Sequence, residues 1–451
     1  VEVAKSTCRL PSANRQLHLS ILSDQSALVR VPIGFVAQPV NNWYTIAMMH
    51  ELIYPRLRSI EVRQVVHQGR QGYLLRDPLQ ISDQVLIIPL TFGPALALCD
   101  GMHHRDQLKA ACGLLTHNGQ PDYVDELLNA LDDALMLETP RYTATLADMQ
   151  ANYRAAAFRP MSHADAVYPA DPTQLQRMID DFIAEAGPHA PLDAGVGIFS
   201  PHIDYARGGK VYAAVWQRAA QLAREAERVV LLATDHYGDE GSLTLTRQHY
   251  ATPFGVLPTA QAAVDQLVAA IGEEAAFAGE LRHRQEHSIE LVAVWLHAMR
   301  AGRPVELVPI LCGSFGHFVR GDADPATDPS LTAVTAVLRE LLARPKTLVV
   351  VSGDLAHVGP AFGGRAITQP GRERVKAADQ HLLDALCAGD PHAFFGAIAQ
   401  IEDRHNVCGL PPGYLALQAL AANQGELVAY EQCPADEQQT SFVSIGGVVL
   451  R

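Results

Sequence analysis

Residues 195–205 read Gly195-Val196-Gly197-Ile198-Phe199-Ser200-Pro201-His202-Ile203-Asp204-Tyr205. An apolar run ends at Ser200, and within five residues the chain presents an imidazole, a carboxylate and a phenol. The event recurs twice: Val229 to Ala233 run into Thr234-Asp235-His236-Tyr237, and Leu348 to Ser352 run into Gly353-Asp354-Leu355-Ala356-His357. Short apolar runs bounded by turn residues read as buried strands. Ligands of open α/β sheets bind beyond the carboxyl ends of the strands, so side chains distant in sequence are expected to converge on one edge.

Outward from these runs, Val305 to Cys312 reads as a further strand. Helical spacing occupies Pro172 to Ala186, Val211 to Ala226, Gln261 to Ile271, Ser288 to Met299 and Leu331 to Leu342. Strands alternating with helices predict an α/β domain over 171–451, a largely parallel sheet flanked by helices. A connector punctuated by Pro160 and Pro169 fills 146–170. Ahead of it, 49–145 reads as a small α+β unit. Tyr73 to Leu75 before Arg76-Asp77-Pro78 and Val85 to Pro89 are its strands, and the helical stretches end at Cys99-Asp100-Gly101 and at Leu135. Residues 1–48 carry few periodic apolar positions and are left unassigned, as an extension compatible with upstream translation.

Hydrophobic residues make up 48% of the 451 and charged ones 19%, which excludes an intrinsically disordered chain. The net charge of −14 opposes both nucleic-acid coating and attachment to an anionic membrane, because each needs Lys and Arg to displace counterions. Seven cysteines without a C-x-x-C pair fit reduced thiols and not a disulfide framework. With no apolar run of membrane-spanning length and no basic start before an apolar core, the expected location is cytoplasmic.

Two imidazoles and one carboxylate with open positions suit a non-haem iron centre, and His202, His236 and Asp354 supply that set, with His357 as the alternative to Asp354. A single strand-end His is more often a hydrogen-bonded structural residue, and Asp354 has a simpler use as a turn cap. The joint placement of the histidines at successive strand ends is what favours a site. Glu286-His287-Ser288-Ile289-Glu290 opens a helix and is a fourth candidate, with Glu286 and His287 in or just before its first turn. His283 to His287 also spell H-x-x-E-H, the inverted zinc-protease signature, but the apolar periodicity starts only at Ile289, which leaves His283 ahead of the helix. No G-x-S-x-G elbow and no phosphate-cradling glycine motif is present.

Taken together, His202-x-Asp204-Tyr205 with Gly208-Gly209, Thr234-Asp235-His236, Tyr250 to Gly255, Glu286 to Glu290, Val308 to Ser314, Ser352 to His357 and Cys408-Gly409 resemble the Memo family, known in prokaryotes as protein B of the AmmeMemoRadiSam system. The resemblance covers about 155–451 and implies a fold similar to class III extradiol dioxygenases. It also implies a divalent metal (iron first, copper or zinc next) at His202 and His236, with His287 as pocket acid/base and Asp204, Tyr205 and Asp235 around the substrate. Partnership with a radical-SAM protein and an AMME-type domain protein follows from the same resemblance. Some members carry Cys where this chain has Ala356, so the third ligand is expected from Asp354 or His357 and copper(I) is less favoured. Residues 49–145 resemble PqqD-like winged-helix units that hold leader peptides. Their 8 basic and 12 acidic residues oppose a DNA-binding use. Two functions follow: a metal-dependent, dioxygenase-like enzyme, or a non-catalytic component that holds a peptide or protein while a partner performs the chemistry.

Overall fold

The computed structural model describes residues 19–21, 52–113, 123–420 and 424–451. The chain divides into two compact units, Val1–Asn152 and Tyr153–Arg451. Apart from strand β1, Leu19–Ile21, the extension at 1–48 lies outside the described residues.

The first unit is built on a four-stranded sheet in the order β1-β4-β3-β2, with β2 at Glu61–His67, β3 at Arg70–Arg76 and β4 at Val85–Pro89. Gln68 and Gly69 join β2 to β3 with φ of 50° and 78°, the pair of left-handed residues that a two-residue hairpin turn demands. Asp77 ends β3 as a buried anchor. Its carboxylate accepts from the backbone N–H of Leu79, Ile81 and Ser82 and pairs with Arg58. Helices α1, Arg105–Ala111, and α2, Tyr123–Asp133, close the core through Leu108, Val124, Leu127, Leu128 and Leu131.

The second unit carries an eight-stranded sheet and a separate two-stranded one, β8 (Tyr250–Thr252) with β9 (Gly255–Leu257). The centre of the larger sheet is four parallel strands in the order β5-β11-β6-β10: Gly197–Ser200, Thr347–Ser352, Arg228–Thr234 and Glu306–Cys312. Antiparallel strands flank it, β7 (Leu243–Leu245) beside β10 and β14 (Phe442–Leu450) beside β5, with β12 (His357–Val358) and β13 (Gly425–Pro434) pairing β14. The four strands expected from sequence are thus present, and the C-terminal hairpin is an addition to them.

Helices cover both faces. Helices α3 (Pro172–Ala186), α4 (Tyr205–Arg218) and α5 (His287–Met299) lie over one apolar cluster. Helices α6 (Pro329–Leu342), α7 (Gln369–Cys387), α8 (Pro391–Ala399) and α9 (Leu410–Ala419) contribute to the cluster on the other face. Twelve of the thirteen residues of α5 are buried, as expected for a helix apolar nearly all round. The Gln261–Ile271 helix is also present. Among the described residues no helix is long and apolar enough to cross a membrane.

Candidate metal centre

Sheet register assembles the site. Ser352 at the end of β11 pairs with Ser200 on β5 and with Ala233 on β6, so three parallel strands end level with one another. The next turns carry His202, His236 and Asp354 to one edge. The fourth candidate group, Glu286 and His287, arrives at the start of α5, whose first turn is fastened there: Ser288 Oγ donates to Thr234 O at 2.7 Å, and Glu286 caps the helix by accepting from Ser288 N.

His202, His236 and His287 form a three-imidazole cluster with ring centroids 4.7 to 5.2 Å apart. One ring nitrogen of each lies within 4.8 Å of the others. A second donor group shares His202 and adds Asp354 and Cys408. Cys408 Sγ is 3.2 Å from His202 Nε2, and Asp354 Oδ2 is 3.8 Å from the same nitrogen. The cavity above them has a volume of about 340 Å³ and is lined by His163, Asp204, Arg207 and His357 as well as by the cluster.

Hydrogen bonds fix the ring tautomers. Ser352 Oγ spends its proton on Ser288 O at 2.7 Å, so it accepts from His202 Nδ1–H at 3.1 Å and leaves the Nε2 lone pair facing Cys408. Glu286 sits behind the other two rings, with Oε1 3.0 Å from His236 Nδ1 and 3.1 Å from His287 Nδ1. A carboxylate in that position orients imidazoles and raises their basicity, the usual arrangement behind metal-binding histidines. The donor set therefore fits a transition metal: imidazole nitrogens aimed inward, a thiol and a carboxylate beside them.

Electrostatics divides the cluster. Burial and the neighbouring His236 and His287 hold His202 well below the ordinary imidazole range. Desolvation opposes the His236 imidazolium, but the Glu286 carboxylate outweighs it and holds that pKa well above its usual value. Desolvation lowers His287 despite Glu286, leaving a neutral base in the pocket. Burial raises Asp354 to about 6, although its carboxylate accepts from the backbone N–H of His202 at 2.8 Å.

The other expected residues are placed as follows. His357 reaches the cavity rim, its Nδ1 near Leu355 O and Asn406 O, and it belongs to neither donor group. Asp204 lines the cavity and caps α4, paired with Arg207. Tyr205 is fully buried with its hydroxyl on Leu291 O, and Asp235 is buried against Arg282; neither lines the cavity. His283 lies outside α5, bonded to Tyr250 and Thr244 O, so it and His287 share no helix and the inverted-protease geometry is absent.

Two residues that sequence reasoning missed belong here. The expectation of a site without a thiol is corrected by Cys408. Position 356 instead faces an apolar cluster with Val358, Val375 and Phe442, and the sulfur comes from the loop before α9, held by Gly409 N–H donating to Asp354 O. Cys408-Gly409 had been visible as a sequence element, but nothing local ties it to His202. His163, from the connector, is the other. Its ring lies 5.8 Å from that of His287, and Glu290, one turn along α5, holds its Nδ1 at 3.1 Å.

A level row of strand ends with inward-facing imidazoles, a thiol and a carboxylate defines an α/β protein with a candidate metal pocket. A family model described as "Memo-like protein" matches residues 159–449, and the chain belongs to that family. Among curated relatives, a MEMO1 family protein of Aquifex aeolicus is 24% identical over 386 residues, covering 84% of this chain and 96% of that protein. A MEMO1 family protein of Thermus thermophilus is 28% identical, covering 72% and 92%. The protein memo-1 homolog of Caenorhabditis elegans is 25% identical, covering 58% and 71%.

Proposed function

We propose that this chain binds one transition-metal ion through His202, His236 and Cys408, with Asp354 within reach as a further oxygen ligand and His287 as the proton-handling group. The observation that carries the reading is the His202 tautomer: Ser352 turns its Nε2 lone pair toward the thiol and carboxylate. Iron is the first expectation, from two imidazoles and a carboxylate with open positions, and copper or zinc the next, since a thiolate beside imidazoles suits both. A bound ion of this kind supplies affinity for O2 or for an oxygen-bearing substrate, the dioxygenase-like chemistry that the strand-end pocket suggests. Around it, His287 is neutral and accepts a proton from a bound group, Glu286 stabilises the resulting imidazolium, and Asp204 with Arg207 borders the entrance.

Elemental mass spectrometry on anaerobically purified protein, compared with a His202→Ala/His236→Ala double variant, tests the reading. Near-stoichiometric iron, copper or zinc in the parent and its loss in the variant is the expected result. Equal metal content in both, or none in a parent reconstituted with any of the three ions, rejects it.

We further propose that the chain acts as the B protein of an AmmeMemoRadiSam system beside a radical-SAM protein and an AMME-type protein, with the unit at 49–145 serving as a PqqD-like winged-helix holder of a peptide. The separate core of that unit and its strand-before-helix order support the assignment. Co-purification of these partners should be lost when 49–145 is deleted, and retention of every partner would reject the peptide-holding role.

A further inference from the structure

His357 and Phe362 meet edge to face at 5.2 Å and form a ridge with a cavity on each side. One is the metal pocket. The other, of about 290 Å³, shares those two residues and is bordered by Arg365, Arg374 and Arg404. Among the described residues no Asp or Glu lines it, in a chain whose net charge is −14. Among the described residues neither Arg365 nor Arg374 makes an ion pair, and Arg404 spends only its Nε, on Ile401 O at 2.9 Å. The contrast with the neighbouring pocket is direct, because there Arg207 is neutralised by Asp204.

A second feature adds to the same potential. Helix α7 begins at Gln369, its N-cap residue Thr368 gives no side-chain cap, and Gly371, Arg374 and Val375 of its first two turns line this cavity. Pro370 has no N–H and Arg372 N–H is bonded to Thr368 O, so the uncapped donors are those of Gln369 and Gly371, which with the positive end of a helix 19 residues long favour an anion. The wall opposite is fixed, since His357 N donates to His405 O at 2.6 Å and Asn406 Nδ2 to His357 O at 3.0 Å, which ties the segment bearing Arg404 to β12. Val358, Ile367 and Val375 supply apolar surface for the atoms attached to such a group.

We propose that this cavity is an oxyanion subsite that holds the phosphate or carboxylate of a small-molecule ligand. Guanidinium groups suit both, through paired N–H donors. That the remainder of the ligand faces His202, His236 and His287 across the His357–Phe362 ridge rests on the metal reading above, whereas the anion subsite stands without it.

The test is calorimetric titration of the full chain, freed of metal by chelation, with inorganic phosphate and separately with succinate at low ionic strength. Saturable binding of at least one probe is expected, with the tighter of the two naming the anion. Arg365→Ala/Arg374→Ala should weaken it about ten-fold or more, with thermal stability unchanged, whereas His202→Ala/His236→Ala should retain it. No saturable binding of either probe, or equal binding by the arginine variant, overturns the subsite. Anion binding retained in a chain that takes up no metal rejects the metal reading alone.

Discussion

The Nδ1–H of His202 donates to Ser352 Oγ over 3.1 Å, and that hydroxyl is already committed to Ser288 O. The bond settles which nitrogen of His202 is free. Ser352→Ala removes the acceptor and should lower metal affinity about 10- to 100-fold, the usual cost of losing a group that orients a ligand. Chelator-competition titration measures it. Unchanged affinity would mean that His202 Nε2 is not a ligand.

Cys408 should be a metal thiolate. Burial raises its pKa, so binding must expel a proton and should strengthen as pH rises. In cobalt(II)-substituted protein a sulfur-to-metal charge-transfer band is expected, absent in Cys408→Ser and retained in Cys312→Ser, whose thiol is fully buried in β10. A band that survives Cys408→Ser assigns the sulfur elsewhere.

Arg159 and Glu290 are a fully buried ion pair, and Glu290 also accepts from Tyr168 Oη at 2.5 Å and from His163 N–H at 2.9 Å. Arg159→Met leaves an uncompensated carboxylate and should cost about 3–5 kcal/mol in urea unfolding. The double variant Arg159→Met/Glu290→Leu should cost less than the sum of the two single changes. Additive costs would show that the pair is not coupled.

Acid should act through His283. Burial holds this imidazole at about 3, its Nδ1 accepting from Tyr250 Oη and its Nε2 donating to Thr244 O. The unfolded chain takes up the same proton near the ordinary value of about 6.5, so the neutral imidazole supports folding above that pH. Its contribution is lost as pH falls toward 3. Between about pH 6.5 and about pH 4 the loss is on the order of 3 kcal/mol. His283→Gln should flatten that part of the stability profile, and an unchanged slope would place the acid sensitivity in other groups.

The parallel centre was legible because each of its strands is a compact apolar run that stops at polar residues. Gln261–Ile271 and Pro172–Ala186 were legible to the residue through helical spacing. Strand β14 was not. All nine of its residues are buried, so it shows no alternation, and Gly446-Gly447 imitates a turn. The need for Gly447 is tertiary, since a Cβ there would lie 2.8 Å from Val215 Cβ on α4. In the pocket, His202, His236 and His287 announced themselves at strand and helix ends. Cys408 and His163 did not, because a loop and a connector carry no periodicity, and their positions follow from partners at Asp354 and Glu290.

His202 and Cys408 stand 206 residues apart in sequence yet within hydrogen-bond distance. During synthesis the imidazoles emerge long before the sulfur, so the full ligand set exists only after the chain beyond β11 has been made and folded back over the sheet. Assembly of the donor atoms is then a late event in the life of the molecule, and the His202–Cys408 contact reports that two distant stretches have met. A fragment ending before Cys408 retains the imidazoles and lacks the sulfur, so its donor set is incomplete.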